Sequence, residues 1–565
     1  MRALESLKVG GGVALLMGMS VSTAGCANDY TCVDYRNCAP DGSADASADV
    51  VRGDARGDGS VTHDGAAHDG ATDGGSDARV VDGGAEAAPV DSGKDAGCNP
   101  SGPPSTSPCS IADEYAVFVA PSKDGGSDAG TGTMAAPYAT IAEGIANAGG
   151  KRVYVCSATY AESLVIGTSL DGAQVYGGFA CPASDAGAPA WTYVSGMVAA
   201  VAPGVAGYAL DLESLSKGAH FEDMSFTAVA ATGSSGASSI AVLVNASSGV
   251  SFTRVTATSG AGAVGSAGAA LATNWCASSL NGAVAAGATA TTGAPAVLCA
   301  CPVSGTTQSG VGGALFNTGG TGFAMPAATP MGLADSKGGA GAVVAPPSNC
   351  MNGDDGPVGA SGIGGIAGAQ GALSRTGWTP GAVAGSGAAG DPGAGAGGGG
   401  GGAGTGGSSG GAGGCGGNGA SGGSGGGASL SVAVVGSGVT FTDVKLAAAA
   451  GGIGGTGFNG QAGQGGGTGG GTGGQCSGGN GGNGGSGGGG GGGAGGPSVG
   501  IGWVGATTSI TIDGTVTTTA TTLTSPSSFS SPGTPSSGGA GGTGGTTVNM
   551  GPPGFTGAVA NLSGT

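Results

Sequence analysis

The residue types best suited to acid–base chemistry come together at one point of the sequence, between positions 213 and 223. Glu213, His220, Glu222 and Asp223 lie in this stretch, and carboxylates beside an imidazole can act as general acid and base. Between residues 231 and 565 only ten charged residues occur, and none of them is Glu or His. Few groups suited to catalysis are therefore present there, and charged residues such as the four in 213–223 are common in solvated turns. We expect no catalysis. The four residues remain the site of an alternative, enzymatic function.

Thirteen cysteines are spread along the chain. Cys299 and Cys301 are the only tightly spaced pair, no CxxC motif occurs, and His63, His68 and His220 are far from them in sequence. Since zinc sites need closely spaced ligands, we expect no metal and no cofactor. In an exported protein such cysteines serve as disulfides. The candidates for disulfides in the first third of the chain are Cys32, Cys38, Cys98, Cys109, Cys156 and Cys181.

The first 26 residues have the features of an export signal. Arg2 and Lys8 form a basic start, and a short apolar stretch of 13–19 follows, ending in small residues. This stretch is too short to span a bilayer and is typical of a signal peptide. The ending Thr-Ala-Gly-Cys resembles a bacterial lipobox, which implies that Cys26 is lipidated and begins the mature chain. The protein would then be anchored at the outer membrane or cell surface of a bacterium, with ordinary secretion as the alternative.

Glycine dominates the composition. Of 565 residues 138 are Gly, whereas charged residues make up 9% and aromatic residues 4%. This excludes an ordinary enzyme core, which needs many more large apolar side chains. The net charge is −19, and residues 41–97 hold thirteen acidic against four basic residues. That stretch lacks large apolar residues and predicts a disordered linker. Because no basic cluster exists, we expect no binding to nucleic acid.

The character of the chain changes at about residue 111, where apolar strands begin. One strand is predicted at 115–119, a short helix follows in 137–148 with Ile141 and Ile145 on one face, and further short strands come next. The run containing VFVAPSKDGG, PYATI and ATYAE, within 115–180, resembles the N-terminal cap and first coils of right-handed parallel β-helix proteins of the pectin-lyase-like class. The resemblance implies an all-β solenoid with a short N-terminal capping helix. Many proteins of this class are polysaccharide lyases or hydrolases.

Four later segments share the shape of two short apolar strands joined by a small polar turn. They span 208–233, 240–258, 430–446 and 499–519. The second and third align almost residue for residue, VNASSGVSFTRVTA against VVGSGVTFTDVKLA. We expect each to form one coil that buries its apolar face on its neighbours. Cys156 and Cys181 lie close to predicted strands, and stacked strands about 4.8 Å apart would allow a disulfide between adjacent coils.

Glycine-rich inserts separate these segments. The windows 393–427 and 451–496 contain 53 Gly in 81 residues, and between 353 and 371 Gly recurs at every third position. A disordered linker would explain this composition, whereas a collagen helix needs more proline than Pro357 alone. The third explanation is polyglycine II, in which extended segments pack side by side because glycine lets backbones approach closely. The inserts resemble glycine-rich antifreeze bundles and PGRS-type surface proteins.

Together these observations predict a surface protein built from a solenoid and its inserts. The expected regions are a signal peptide (1–25), a lipidated N-terminus (26–40), a linker (41–97), the β-helix cap and first coils (98–258), an insert (259–429), a β-coil (430–446), a second insert (447–498) and a last coil with a Ser/Thr/Gly-rich tail (499–565). We expect a structural, adhesive or glycan-binding role, with the membrane and polysaccharide or extracellular matrix as partners. The alternatives are a carbohydrate-active β-helix enzyme and an ice- or surface-ordering polyglycine II protein.

Overall fold

A computed structural model provides the structure of the protein. It describes residues 99–181, 191–285, 292–315, 317–325, 351–402, 406–471, 476–517, 527–529, 536–544, 549–556 and 559–564. All of them belong to one compact unit, Asp91–Thr565. The predicted signal peptide, lipidated N-terminus and linker lie outside the described residues. So do four of the cysteines named above, Cys26, Cys32, Cys38 and Cys98.

The described residues are mostly strands and extended segments, so the protein is all-β. The first eighteen strands are β1 (Ala116–Val119), β2 (Arg152–Cys156), β3 (Thr159–Tyr160), β4 (Leu164–Ile166), β5 (Gln174–Ala180), β6 (Thr192–Tyr193), β7 (Ala199–Val201), β8 (Leu210–Glu213), β9 (His220–Glu222), β10 (Met224–Thr227), β11 (Ser239–Asn245), β12 (Val250–Thr253), β13 (Thr256–Ser259), β14 (Leu298–Cys301), β15 (Gly305–Gln308), β16 (Phe323–Met325), β17 (Ala372–Ser374) and β18 (Gly377–Thr379). The remaining strands are β19 (Ser429–Val435), β20 (Gly438–Thr442), β21 (Lys445–Ala448), β22 (Ser498–Val504), β23 (Ser509–Ile512), β24 (Thr515–Thr517), β25 (Ser528–Phe529) and β26 (Val559–Gly564). The helices are α1 (Ile141–Ala146) and three 3-10 turns at Pro108–Ser110, Ser122–Asp124 and Thr168–Leu170.

Three larger sheets consist mainly of parallel strands. Their orders are β1-β2-β5-β9-β12-β20-β23-β24 with β6 beside β5, then β25-β21-β13-β10-β7-β3, and β26-β22-β19-β11-β8-β4. The consecutive strands β8, β9 and β10 enter three different sheets, and β11, β12 and β13 repeat that order one position further along. The next repeat is β19, β20 and β21, although β13 ends at Ser259 and β19 begins only at Ser429.

One apolar core takes side chains from all three sheets. Phe221, Phe252 and Phe441 occupy paired positions of β9, β12 and β20, and each is almost fully buried. Their rings stack with centroids 5.5 and 5.4 Å apart. The pairing of Phe252 with Phe441 follows the alignment of 240–258 with 430–446. Identical aromatic side chains in register give a continuous core along the repeats.

The chain turns sharply after each of these phenylalanine strands. Asp223, Arg254 and Asp443 come at this turn in successive repeats, with φ values of 55°, 50° and 50°. Non-glycine residues rarely adopt this left-handed conformation, although Asp and Asn adopt it more readily than most. The repeat therefore places three charged residues one above the next, and two of them belong to the candidate site.

The helix predicted from Ile141 and Ile145 is α1, which packs against β1, β2 and β4. Both isoleucines are buried. The carboxylate of Glu162 accepts hydrogen bonds from the backbone N–H groups of Ile141 and Ala142 at 2.8 and 3.0 Å, which satisfies the first turn of the helix. Nearby, a disulfide joins Cys156 at the end of β2 to Cys181 after β5, with the Cα atoms 4.8 Å apart.

The glycine-rich stretches form extended segments that hydrogen-bond to one another. We call them the glycine bundle and number its segments s1 (260–285), s2 (351–371), s3 (380–402), s4 (406–428), s5 (449–471), s6 (476–497), s7 (536–544) and s8 (549–556). Strands also occur between these segments, where only an insert was predicted. β14, β15 and β16 form an antiparallel sheet, and β17 and β18 form a hairpin.

Segment s6 is the centre of the glycine bundle. The N–H group of Gly484 donates to s5 at 2.9 Å, the N–H group of Gly485 to s3 at 2.8 Å and the N–H group of Gly489 to s8 at 3.0 Å. For each of these three segments, a donor recurs at every third residue of s6. Segments s2, s4 and s7 in turn donate to carbonyl groups of s6. Six neighbours therefore surround s6, which a chain with three residues per turn makes possible by presenting three faces.

Close approach of backbones explains where glycine is required. A Cβ atom on Gly484, Gly485 or Gly489 would lie closer than 3.0 Å to a carbonyl oxygen of s4, s2 or s7 respectively. On the same face as Gly489 but earlier in s6, Asn480 and Asn483 are exposed. Along this face, residues with larger side chains occur where no segment covers s6. Glycine occurs where s7 and s8 lie against it.

The triplet pattern of 353–371 has the same cause. Gly353, Gly356 and the four triplet glycines that follow donate to s6 at 2.8–2.9 Å. A Cβ on Gly353 or Gly356 would lie closer than 3.0 Å to s3. Segment s2 therefore lies at the edge of the glycine bundle with one position in three facing inward, and its other positions carry Asp, Pro, Val, Ala and Ile.

Candidate functional site

Arg254 joins two adjacent acids, Glu222 and Asp223, in a partly buried ion-pair cluster. Arg254 Nε lies 2.8 Å from Asp223 Oδ1, and Nη2 lies 2.9 Å from Asp223 Oδ2. Nη2 also contacts Glu222 Oε1. The side chains of Glu222 and Asp223 are buried, whereas that of Arg254 is 36% exposed. The two-point contact with Asp223 orients the guanidinium, which then bridges both carboxylates.

Other polar side chains complete the cluster. The Tyr193 hydroxyl donates to Asp223 Oδ2 at 2.9 Å. One imidazole nitrogen of His220, Nε2, lies 3.1 Å from Glu222 Oε2, and the other, Nδ1, lies 2.8 Å from the hydroxyl of Ser251. Every polar atom of this imidazole thus has a partner on its own or the adjacent strand of the nine-stranded sheet.

The electrostatics of the cluster favour fixed charges. Burial raises the pKa of Glu222, but the hydrogen bond from His220 and the charge of Arg254 outweigh it, so this pKa lies below its usual value. The hydrogen bonds with Asp223 hold the pKa of Arg254 well above its usual range. Burial, together with the bond to Asp223, raises the pKa of Tyr193. A carboxylate held ionised in this way is a poor proton donor near neutral pH.

The structure brings together three of the four residues singled out in the sequence. His220, Glu222 and Asp223 are in the cluster, whereas Glu213 ends β8, which belongs to a different sheet. Sequence reasoning missed Arg254, which is 31 residues from Asp223. The signal was present in the repeats, because Asp223 and Arg254 occupy the same position after aligned strands.

A cavity of about 200 Å³ lies beside α1, and no member of the cluster lines it. Its wall includes Ile145, Lys151 and Asp171. The Asp171 carboxylate is occupied, because it accepts hydrogen bonds from the Ser216 hydroxyl and from the backbone N–H groups of Ser216, Lys217 and Gly218 at 2.7–3.1 Å. The Ser216 hydroxyl, followed by these N–H groups, lowers the pKa of Asp171 to about 2. This carboxylate acts as a turn clamp.

The outer surface of the glycine bundle presents aliphatic side chains. Ile363 and Ile366, three residues apart on s2, are each 74% exposed, and Val358 is 61% exposed. On s3, Val383 is 65% exposed. Isolated exposed apolar residues are common on soluble proteins, but these occur on a rigid frame with a three-residue repeat. They are the residues of the glycine bundle best placed to contact another surface.

All eight cysteines among the described residues are in disulfides. The bonds are Cys156–Cys181, Cys276–Cys299 and Cys301–Cys415, and Cys109 and Cys476 are also disulfide-bonded. The sulfur atoms of Cys276, Cys299 and Cys415 lie within 4.8 Å of one another. Metal ions bind cysteine as the thiolate, and a sulfur in a disulfide is not a thiolate. While these disulfides are formed, the three cysteines therefore do not provide metal ligands.

In the part of the chain that the structure describes, no helix has the length and apolar character needed to cross a membrane. Comparisons with family models, with curated proteins and with solved structures returned no match to this chain.

Proposed function

We propose that the three parallel sheets are the faces of a right-handed parallel β-helix closed by α1, and that the glycine bundle is polyglycine II. The repeated entry of consecutive strands into three sheets supports the first part, and parallel crossovers are right-handed in nearly all known cases. Hydrogen bonds at every third residue and the six neighbours of s6 support the second part.

On this basis the protein is an exported, lipid-anchored surface protein with a structural or adhesive role and no catalytic step. The observation that carries this proposal is the pair of exposed isoleucines on s2, Ile363 and Ile366, held on a frame of hydrogen-bonded backbone segments. A rigid, weakly charged surface of this kind suits contact with polysaccharide, matrix or a neighbouring cell. In the cluster, Arg254 is ion-paired with both Glu222 and Asp223, which favours a structural role for those acids.

The anchor is tested in cells by labelling with a palmitate analogue. The full chain should incorporate the label and fractionate with membranes, and Cys26→Ala should lose both properties while the protein is still made. Cys32→Ala is the matched control, because it removes a nearby cysteine and leaves the lipobox-like sequence unchanged. Equal labelling of Cys26→Ala and the unchanged protein would contradict lipidation at Cys26.

The role is tested by binding to a panel of glycans and matrix components. Replacing Ile363 and Ile366 together with Ser should weaken binding at least tenfold, since removal of two apolar contacts is worth about 1.4 kcal/mol or more. Replacing Val165, an exposed valine on β4, with Ser should leave binding unchanged. Turnover of any glycan would contradict the proposal and support the carbohydrate-active alternative. In that case Glu222→Gln would have to abolish the turnover.

The three-residue spacing of the exposed Ile363 and Ile366 favours one second candidate, an ice- or surface-ordering function. Ordered surfaces recognise lattices when side chains recur at a fixed spacing on a rigid frame. Thermal hysteresis of the purified chain would support this candidate, and freezing behaviour equal to that of an albumin control at the same concentration would eliminate it.

A further inference from the structure

Two disulfides lie side by side where the glycine bundle meets β14. Cys299 and Cys301 point to the same side of β14, because both are buried. Leu298 and Ala300, which alternate with them along the strand, are exposed. Their partners are Cys276 in s1 and Cys415 in s4. The Cys299 sulfur lies 3.3 Å from that of Cys415 and 3.8 Å from that of Cys301. The four sulfur atoms therefore form one cluster of two adjacent disulfides.

We propose that these four cysteines form a thiol-exchange site at which an external thiol attaches covalently to Cys276. Cys276 is half-buried, whereas Cys299 and Cys415 are fully buried and Cys301 is nearly so. An external thiolate, such as a small thiol or a cysteine of a partner molecule, thus reaches the Cys276–Cys299 disulfide from the Cys276 side. Disulfides exchange by thiolate attack along this most accessible route.

The chemistry proceeds in balanced steps. The external thiolate forms a bond to the Cys276 sulfur, the Cys276–Cys299 bond breaks, and Cys299 leaves as a thiolate. Cys299 then forms a bond to the adjacent Cys415 sulfur, the Cys301–Cys415 bond breaks, and Cys301 leaves as a thiolate that takes a proton from water. The protein then holds the external thiol on Cys276, a Cys299–Cys415 bond and a free Cys301 thiol, with no net oxidation or reduction.

The proximity of the sulfurs makes the second step intramolecular, which favours it over attack by dissolved thiols. It also removes the Cys299 thiolate that would otherwise expel the external thiol from Cys276. The attached thiol is therefore retained longer than at an isolated disulfide. This property does not depend on the proposed adhesive role.

The first test uses Cys276→Ser, which leaves Cys299 as a free thiol beside the Cys301–Cys415 bond. Disulfide mapping by mass spectrometry, with fragmentation that separates Cys299 from Cys301, should find Cys299–Cys415 and Cys301–Cys415 in comparable amounts. Cys181→Ser is the matched control, because the residue grouped with the Cys156–Cys181 disulfide is Asp124. At the Cys276–Cys299 disulfide, that residue is a third cysteine, Cys415. That control should leave one free thiol at Cys156. Cys301–Cys415 alone in Cys276→Ser would overturn the proposal.

The second test uses the unchanged protein, so that it does not depend on the folding of a variant. Treatment with glutathione at mildly alkaline pH should place glutathione on Cys276 and produce Cys299–Cys415 in the same molecules. Cys156 and Cys181 should remain paired with each other. Glutathione on Cys299, or glutathione on Cys276 with Cys301–Cys415 still intact, would contradict the exchange.

Discussion

In the strand-bearing part, side chains from three sheets meet in one core, whereas in the glycine bundle backbones meet with no side chain between them. Phe221 and Phe252 represent the first arrangement, because their rings stack across adjacent repeats. Gly484 and Gly485 represent the second, since each donates to a different neighbouring segment. A strand in a sheet has two hydrogen-bonded neighbours, and s6 has six.

The difference shows that hydrogen bonding can replace apolar burial when glycine occupies most inward positions. In a sheet, side chains hold neighbouring layers about 10 Å apart, so backbone hydrogen bonds form only within a layer. Without side chains, backbones approach on every face and hydrogen bonds form in several directions. The cost is conformational entropy, since glycine loses more freedom than any other residue when it is ordered.

The largest expected effect is in the strand-bearing part. Phe252→Ala removes a ring stacked between Phe221 and Phe441 and should lower the free energy of unfolding by about 4 kcal/mol. Guanidinium unfolding followed by tryptophan fluorescence measures it. Thr440→Ala on the adjacent strand β20, which changes an exposed residue, is the control. An effect below that of the control would mean that the phenylalanine stack contributes little.

The next effect tests the glycine bundle with two adjacent residues of s5. A Cβ on Gly466 would lie closer than 3.0 Å to the Gly481 carbonyl of s6, whereas on Gly465 the nearest atom is 3.8 Å away. Gly466→Ala should destabilise by about 3 kcal/mol because the backbones must separate. Gly465→Ala should stabilise by about 0.5 kcal/mol because it restricts the unfolded chain. Equal effects of the two substitutions in thermal unfolding would refute the inward and outward assignment.

A smaller effect comes from the ion-pair cluster, which has no counterpart within s6. Arg254→Met leaves the buried Glu222 and Asp223 without their cation and should destabilise by about 2 kcal/mol at pH 7, less than for a fully buried pair since Arg254 is partly exposed. Because the pKa of Glu222 is lowered in the folded protein, its stabilisation is present above the unfolded pKa and lost as pH falls.

The deficit of Arg254→Met should therefore shrink below about pH 4, where carboxylates become protonated. Urea unfolding at pH 7 and at lower pH measures this change. Lys445→Met, which removes an exposed cation from β21, should shift the free energy of unfolding by no more than about 0.5 kcal/mol. A deficit of Arg254→Met that is constant with pH would show that lost packing, and not charge, is responsible.

The smallest effect concerns Asp171, which clamps the turn at 216–218. Its pKa is lowered to about 2, so its contribution is present above the unfolded pKa of about 3.9 and lost as pH falls towards 2. Asp171→Asn should lower the thermal midpoint slightly at pH 7 and leave it unchanged near pH 2. A loss of equal size at both pH values would exclude a role for the ionised carboxylate.

Much of the strand-bearing part follows from the sequence, because repeated patterns imply repeated structure. The alignment of 240–258 with 430–446 predicted two equivalent segments that pack on their neighbours. In the structure Phe252 pairs with Phe441, although 188 residues lie between them. Ile141 and Ile145 predicted α1 in the same way. The ion-pair cluster was predicted only in part, since Arg254 joins Asp223 across two strands and charge complementarity between repeats has no local signature.

The glycine bundle was harder to predict for a physical reason. Composition alone is compatible with a flexible linker, because glycine carries no side-chain pattern from which faces can be assigned. The triplets of s2 reveal its inward face only once s6 is known to lie against it. The change from Asn480 and Asn483 to Gly489 along one face of s6 likewise becomes meaningful when s7 and s8 are seen to cover it.

The central claim is that s6 is an ordered, hydrogen-bonded element, and hydrogen–deuterium exchange of the intact protein tests it most directly. The glycine amides between Gly478 and Gly496 should exchange as slowly as the amides of β11 (Ser239–Asn245), because both sets donate to backbone carbonyls. Exchange of the s6 amides at the rate of an unstructured peptide, while β11 remains protected, would contradict the account.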